Sequence, residues 1–205
     1  MQADLFATNV DFRDDLVRNI PGIRKSQSLF DDLSPDPADW AIAIAAEGAE
    51  RIPTAAALIS RPFDYGTVIN WSFDAAHWQA TRYSDGTAYG VWYGADSVQA
   101  SVYETAYHWY HGLLLDAEGF AREAVAIERK IYNVACDALI LDLRPCVEEF
   151  AALLHKTDYA FTQQVGARLQ HEGHPGLVAP SVRYPEGLNY VVFNPAVLSN
   201  PRVNC

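Results

Sequence analysis

Apolar and polar positions along the chain change period several times, and each change predicts an element. Residues 124–134 alternate as a half-buried strand does, and 138–143 form a short continuous apolar strand. Upstream, 67–71 (Thr-Val-Ile-Asn-Trp) and 89–93 (Tyr-Gly-Val-Trp-Tyr) are rich in β-branched and aromatic residues and predict two more. Residues 177–179 and 188–193 predict the last strands. Helices are expected over 147–154 and 159–170, and one of about sixteen residues runs from a capping Asp96 to near Gly112. The first 36 residues are polar, Asp-rich and broken by Pro21-Gly22 and Pro35, so they predict an extension with short helices at most. Capping residues and prolines at 34–40 open an alanine-rich helix over 40–51, with a second short helix after Pro53. Strands mix with helices in no regular βαβ alternation, and no repeat appears. The expected class is α+β, with residues 1–60 as a partly helical N-terminal extension and 61–205 as the main domain.

At 100° per residue, the helix after Asp96 places Val98, Val102, Ala106, Trp109 and Leu113 on one stripe, expected to be buried. Tyr103, Tyr107 and Tyr110 make a flanking aromatic face. Ser97, Ser101, Glu104, His108 and His111 share the remaining side. An ordinary solvated face is rich in Lys and Glu, whereas this one holds Ser, Glu and His. It also opens beside the C-terminal end of the aromatic strand.

Half of the 205 residues are apolar and a fifth are charged, which suits a folded globular chain with a full core. The net charge of −11 shows no basic stripe, so direct binding to nucleic acid is not expected. No apolar run approaches the ~18 residues that span a bilayer, and the start lacks a signal-peptide pattern, so a cytoplasmic location away from membranes is expected. The three cysteines are spaced unlike a zinc site, and His108 with His111 lacks a third ligand at metal spacing. No metal is expected.

The chemistry gathers between Arg82 and Glu104. An arginine precedes a turn, an aromatic strand ends in Tyr93, and the next helix presents Glu104, eleven residues apart each time. A cation, a ring and a carboxylate from consecutive elements suit a substrate that bears phosphate and a ring and develops positive charge as it reacts.

Three blocks, Thr81-Arg82-Tyr83, then Tyr89 to Ser97, then Val102 to His108, resemble the RES domain, a family named for an Arg, a Glu and a Ser. A later block, from Ala179-Pro-Ser181 through Asn189 to Phe193-Asn-Pro195, is similar to the family's terminal Ser, Asn and closing strand. Asp142-Leu-Arg144 is like its middle strand. The resemblance spans roughly 61–200, with Thr-Arg-Tyr where the family usually has Gly-Arg-Phe/Trp. It implies an ADP-ribosyltransferase-like core of two small packed sheets flanked by helices. It also implies a toxin of a bacterial toxin–antitoxin pair that consumes NAD as substrate, with no permanently bound cofactor. The implied partner is an antitoxin with an Xre-type helix-turn-helix domain.

On that basis Glu104 is expected to stabilise the cation formed as the nicotinamide–ribose bond breaks. Arg82 would grip a phosphate through its planar fork. Tyr93 would stack on the nicotinamide ring, although a core tyrosine with a satisfied hydroxyl fits equally. Ser181 would contact the nicotinamide amide or a phosphate; it is not set as a nucleophile, since no Gly-x-Ser-x-Gly elbow surrounds it. Asn189 joins the NAD-binding set, Arg61 fits a second phosphate contact or a structural role, and His108 would orient Glu104 one turn away. Water or phosphate as acceptor makes the enzyme a glycohydrolase or phosphorylase. The alternatives are mono-ADP-ribosylation of a protein and a catalytically silent binding module. Protein-modifying relatives carry a second carboxylate two residues before the catalytic one, where this chain has Val102.

Overall fold

The computed structural model describes residues 4–21, 65–115 and 126–204. The helices expected over 40–51 and after Pro53, and Arg61, lie outside the described residues, as do the first two residues of the strand expected from 124.

Two long strands organise the sheet. β1 (Asn9–Pro21) and β3 (Arg129–Asp142) pair antiparallel in unbroken register from Asn9↔Leu141 to Pro21↔Arg129. β1 also meets β2 (Trp92–Ala95) at Val17↔Ala95. β2 then pairs antiparallel with β5 (Leu188–Val192), and β5 with β4 (Gly176–Pro180). β4 runs parallel to the end of β3 at Leu141↔Leu177, so the ladder returns to the strand it left. The sheet therefore closes on itself like a small barrel. β6 (Leu198–Val203) pairs with β3 between Tyr132 and Cys136.

Alternation along the strands sorts the core onto two faces. Leu16, Ile20, Trp92, Val134, Ile140, Val178, Tyr190, Val192 and Leu198 form one cluster to which every strand contributes, which places it inside the closed sheet. Leu141, Leu177, Ala179 and Val191 point the other way and pack with Tyr83, Leu153, Val165 and Leu169. The last two come from α2 (Ala160–His171), which covers this outer face. Each such side chain taken from water contributes about 1.5–3 kcal/mol, so α2 is held mainly by its buried stripe.

Several expectations are corrected. The N-terminal segment is not an extension with short helices at most: over 9–21 it is a strand inside the sheet. Asp11 and Arg13 are exposed on one face, with Arg13 paired to Asp137 of β3 at 2.9 Å; Asp14 is exposed on the other, the face from which Leu16 and Ile20 reach the core. Pairing with β3 overrides the weak local propensity. Two small packed sheets are replaced by one closed sheet, because the two strands expected near 124–134 and 138–143 run together as β3. The strand expected at 67–71 is a π-helical turn (Tyr65–Ile69) followed by a 3-10 turn (Asn70–Phe73). Val68 and Ile69 are neighbours and both are buried, which a helical turn permits and a half-buried strand does not. The helix expected over 147–154 is reduced to short 3-10 turns, Arg144–Cys146 and Ala151–Leu154. β6 had no anticipated counterpart, since Asn200 at φ 49° and Pro201 interrupt any strand pattern there.

α1 (Val98–Trp109) forms as expected and continues as a π-helical turn, Tyr110–Leu114, but its cap is Ser97, whose hydroxyl accepts from the Ala100 amide. Its phase is shifted from the expected one. The buried positions are Ala100 and Ser101, whereas Val102 is 46% exposed and Ala106 is also exposed. Small residues let α1 approach the sheet closely, and that turns Ser101 and Glu104 inward while His108 stays exposed.

Candidate active site

Between α1, β1, β2 and the turn 81–84 lies a cleft of about 700 Å³. β2 ends against β5 with Ala95 opposite Asn189, and the chain then turns into α1, so Glu104 comes to stand beside Asn189. Glu104 is three-quarters buried, with a side chain 23% exposed. Its Oε1 accepts from Ser181 Oγ at 2.7 Å and from Asn189 Nδ2 at 2.6 Å. Both donors fall on one oxygen. Oε2 has His108 Nε2 at a loose 4.0 Å, and Glu104 lines the cleft.

Ser181 is almost wholly buried and does not line the cleft. Its hydroxyl donates to Glu104 and accepts from the amides of Arg183 (3.2 Å) and Tyr184 (3.0 Å). One donor and two acceptor sites are thereby used up, so the direct substrate contact expected of Ser181 is not the role its geometry supports. It orients the carboxylate instead. The loop 181–187 that carries it approaches α1 so closely that a Cβ on Gly187 would stand 2.7 Å from the Ala100 side chain.

Arg82 sits at a corner of the tight turn closed by the Thr81 amide and the Ser84 carbonyl at 2.7 Å. Its guanidinium lies 4.5 Å over the Tyr159 ring, and Nη1 donates to the carbonyls of His155 (2.8 Å) and Leu153 (3.3 Å). Nε and Nη2 have no hydrogen-bond partner among the described residues, and the side chain lines the cleft. Tyr93 is a strand tyrosine with a satisfied hydroxyl. Its hydroxyl donates to Thr81 Oγ1 and accepts from the Tyr83 amide, while the residue itself lines the cleft. Burial pushes that hydroxyl's pKa up to about 12, so it stays protonated. His108 is held below the usual histidine pKa, first by partial burial and against the pull of Glu104, with Arg183, Arg82 and His111 adding to the lowering.

Two cleft residues were not anticipated. Arg18 on β1 donates to the Tyr93 carbonyl (2.7 Å) and Ser72 Oγ (2.9 Å), lies 5.2 Å from the Trp92 ring centre, and has an enclosed Nε without a hydrogen-bond partner among the described residues. Burial and the adjacent Arg129 lower its pKa to about 10. Arg129 on β3 is tied to Asn19 through its side chain and carbonyl. Among the described residues no carboxylate pairs with Arg18, Arg82 or Arg129, and all three line one cleft. Such an arrangement suits an anionic ligand. The signal for Arg18 was the strand period of 9–21, hidden by its aspartates. No group of three His, Cys, Asp or Glu among the described residues stands in metal-binding geometry.

A family model, the RES domain, matches residues 49–204. The chain belongs to the RES domain family. Its matched span includes Arg82, Glu104 and Ser181, while β1 with Arg18 lies before it. No curated protein matches the chain. Among solved structures, a chain of the M. tuberculosis MbcT–MbcA toxin–antitoxin complex is similar at 14% identity and a TM-score of 0.53, with 96% of this chain and 86% of that one covered. At that identity the likeness speaks for the fold alone.

Proposed function

We propose that this RES domain protein cleaves NAD at the nicotinamide–ribose bond and serves as the toxin of a toxin–antitoxin pair. The observation that carries the chemistry is Glu104: one carboxylate oxygen is locked by Ser181 and Asn189, and the residue lines a cleft bordered by Arg82, Arg18 and Arg129. Family membership and the fold shared with a chain of a toxin–antitoxin complex support the toxin role.

As the C1′–N bond breaks, its electron pair leaves with neutral nicotinamide, and positive charge grows on the ribose. No general acid is required. A fixed carboxylate beside the ribose stabilises that charge without reorganising, because its hydrogen bonds already hold it in place. The arginines hold the diphosphate, which restricts the substrate to a reactive orientation. The acceptor oxygen, from water or inorganic phosphate, then bonds to C1′ and releases its proton to solvent. Tyr93 offers a ring face for nicotinamide while its hydroxyl keeps the Arg82 turn in place. Val102 is exposed on the outer side of α1, so nothing at that position favours transfer to a protein side chain. The cognate partner would be an antitoxin with an Xre-type helix-turn-helix domain.

The test is nicotinamide release from NAD by purified protein, with ADP-ribose and ADP-ribose-1″-phosphate separated chromatographically with and without phosphate. A large but still measurable fall in release is expected in Glu104→Gln; undiminished release in that variant would refute the mechanism. Cellular NAD should fall after induced expression without antitoxin.

A further inference from the structure

α2 presents three residues to the turn that carries Arg82, on one face at positions 159, 163 and 166. Tyr159, at the N-terminal cap position, lies under the Arg82 guanidinium at 4.5 Å. One turn on, Gln163 Nε2 donates to the carbonyls of both Thr81 (2.9 Å) and Ser84 (3.3 Å), the two residues that flank the corner. At Gly166 the helix backbone comes so near that a Cβ would stand 2.0 Å from the Tyr83 carbonyl oxygen. Two more polar groups of the turn are fixed from the sheet side. The Tyr83 amide donates to Tyr93 Oη at 3.1 Å, and the Tyr83 carbonyl accepts from Tyr89 Oη at 2.7 Å. Gln163 is thus the one side chain of α2 that bonds the turn's main chain on both sides of Arg82.

We infer that Gln163 is a positioning residue for Arg82: the α2 amide clamps both arms of the turn, and this sets where the guanidinium meets a substrate's anionic group. Gln163 does not line the cleft and touches no ligand in this scheme. Hydrogen bonds to a turn fix the backbone torsions from which a long side chain departs, and an error there is amplified along the arginine. The consequence for substrate rests on the NAD reading above; the clamp itself does not.

The variant is Gln163→Met, which keeps length and helix propensity and removes both donors. Hydrogen exchange in the free protein tests the clamp. The amides of Thr81 and Tyr83 are expected to exchange about fivefold to tenfold faster, the worth of one typical hydrogen bond, with the amides of α2 unchanged. Steady-state kinetics with NAD test the consequence: KM rises about fivefold or more while kcat holds within about twofold, the mark of lost uniform binding. If Gln163→Met does not fold, Gln163→Glu keeps size and helix propensity, also lacks the donors, and makes the same measurement. Unchanged exchange in a folded variant overturns the clamp. Faster exchange with a fall in kcat at constant KM overturns the assignment to substrate binding. If the parent protein releases no nicotinamide, the NAD reading fails by itself, and the exchange data still decide the role of Gln163.

Discussion

Replacing Ser181 with alanine separates two roles that the serine of this family has been open to: touching the substrate, or aiming the carboxylate. In the structure the hydroxyl spends its hydrogen on Glu104 and its lone pairs on the Arg183 and Tyr184 amides. A hydrogen bond to a charged group is worth about 1.5–3 kcal/mol. If that energy is felt only when Glu104 faces a developing cation, kcat falls about tenfold to a hundredfold and KM stays near its starting value. Two half-buried amides also lose their acceptor at about 1 kcal/mol each, which for a chain of this size lowers Tm by about 4–8 °C. Kinetics at 25 °C therefore still sample folded protein, and circular dichroism confirms it.

The decisive comparison is a double-mutant cycle with Glu104→Gln, read by nicotinamide release. A residue that acts only through Glu104 has little left to lose once that charge is gone, so Ser181→Ala should cost less than about threefold in the Glu104→Gln background. Full additivity, or a raised KM with kcat preserved, would refute the positioning role and return Ser181 to direct contact with substrate.

Three further outcomes follow from the same geometry. Gly166→Ala sets a methyl against the Tyr83 carbonyl, a backbone atom that cannot swing away; a loss of about 1–3 kcal/mol is expected, seen as a lower Tm in calorimetry. Arg18→Lys keeps the charge but loses the fork that spans Tyr93 O and Ser72 Oγ. KM for NAD should rise about tenfold or more with kcat less affected, because lysine is a point charge on a flexible stem. His108 has a folded pKa below its unfolded value, so the folded state binds fewer protons through the window below about 6.5. Stability is then full above that pH and declines as pH falls through it. Since the ring is largely exposed the slope is shallow, and His108→Gln should flatten part of the Tm difference between pH 5.5 and 7.5.

What could be read from the chain divides along physical lines. Local features carried well: α2 came from its own apolar period, and β4 and β5 from short continuous runs whose two faces are both buried. Arg82, Tyr93 and Glu104 were found because they lie on consecutive elements, a turn, a strand and a helix, which the chain itself brings together. Arg18 was not, because its strand exists only through pairing with β3, more than a hundred residues away, and its exposed aspartates read as an unstructured segment.

α1 is the instructive failure. The amphipathic rule assigns the apolar stripe to the core and the polar face to water. Here Val102 and Tyr103 are about half exposed while Ser101 and Glu104 face inward. Placing a carboxylate three-quarters out of water is unfavourable unless hydrogen-bond donors meet it, and Ser181 and Asn189 are those donors. Neither can be inferred from the helix itself, since both lie more than seventy residues downstream. The shifted phase and the distant donors are therefore one fact: a helix can turn a serine and a carboxylate inward only where the rest of the fold has built something to receive them, and here Ser101 and Glu104 beside an apolar stripe mark the site better than they mark the surface.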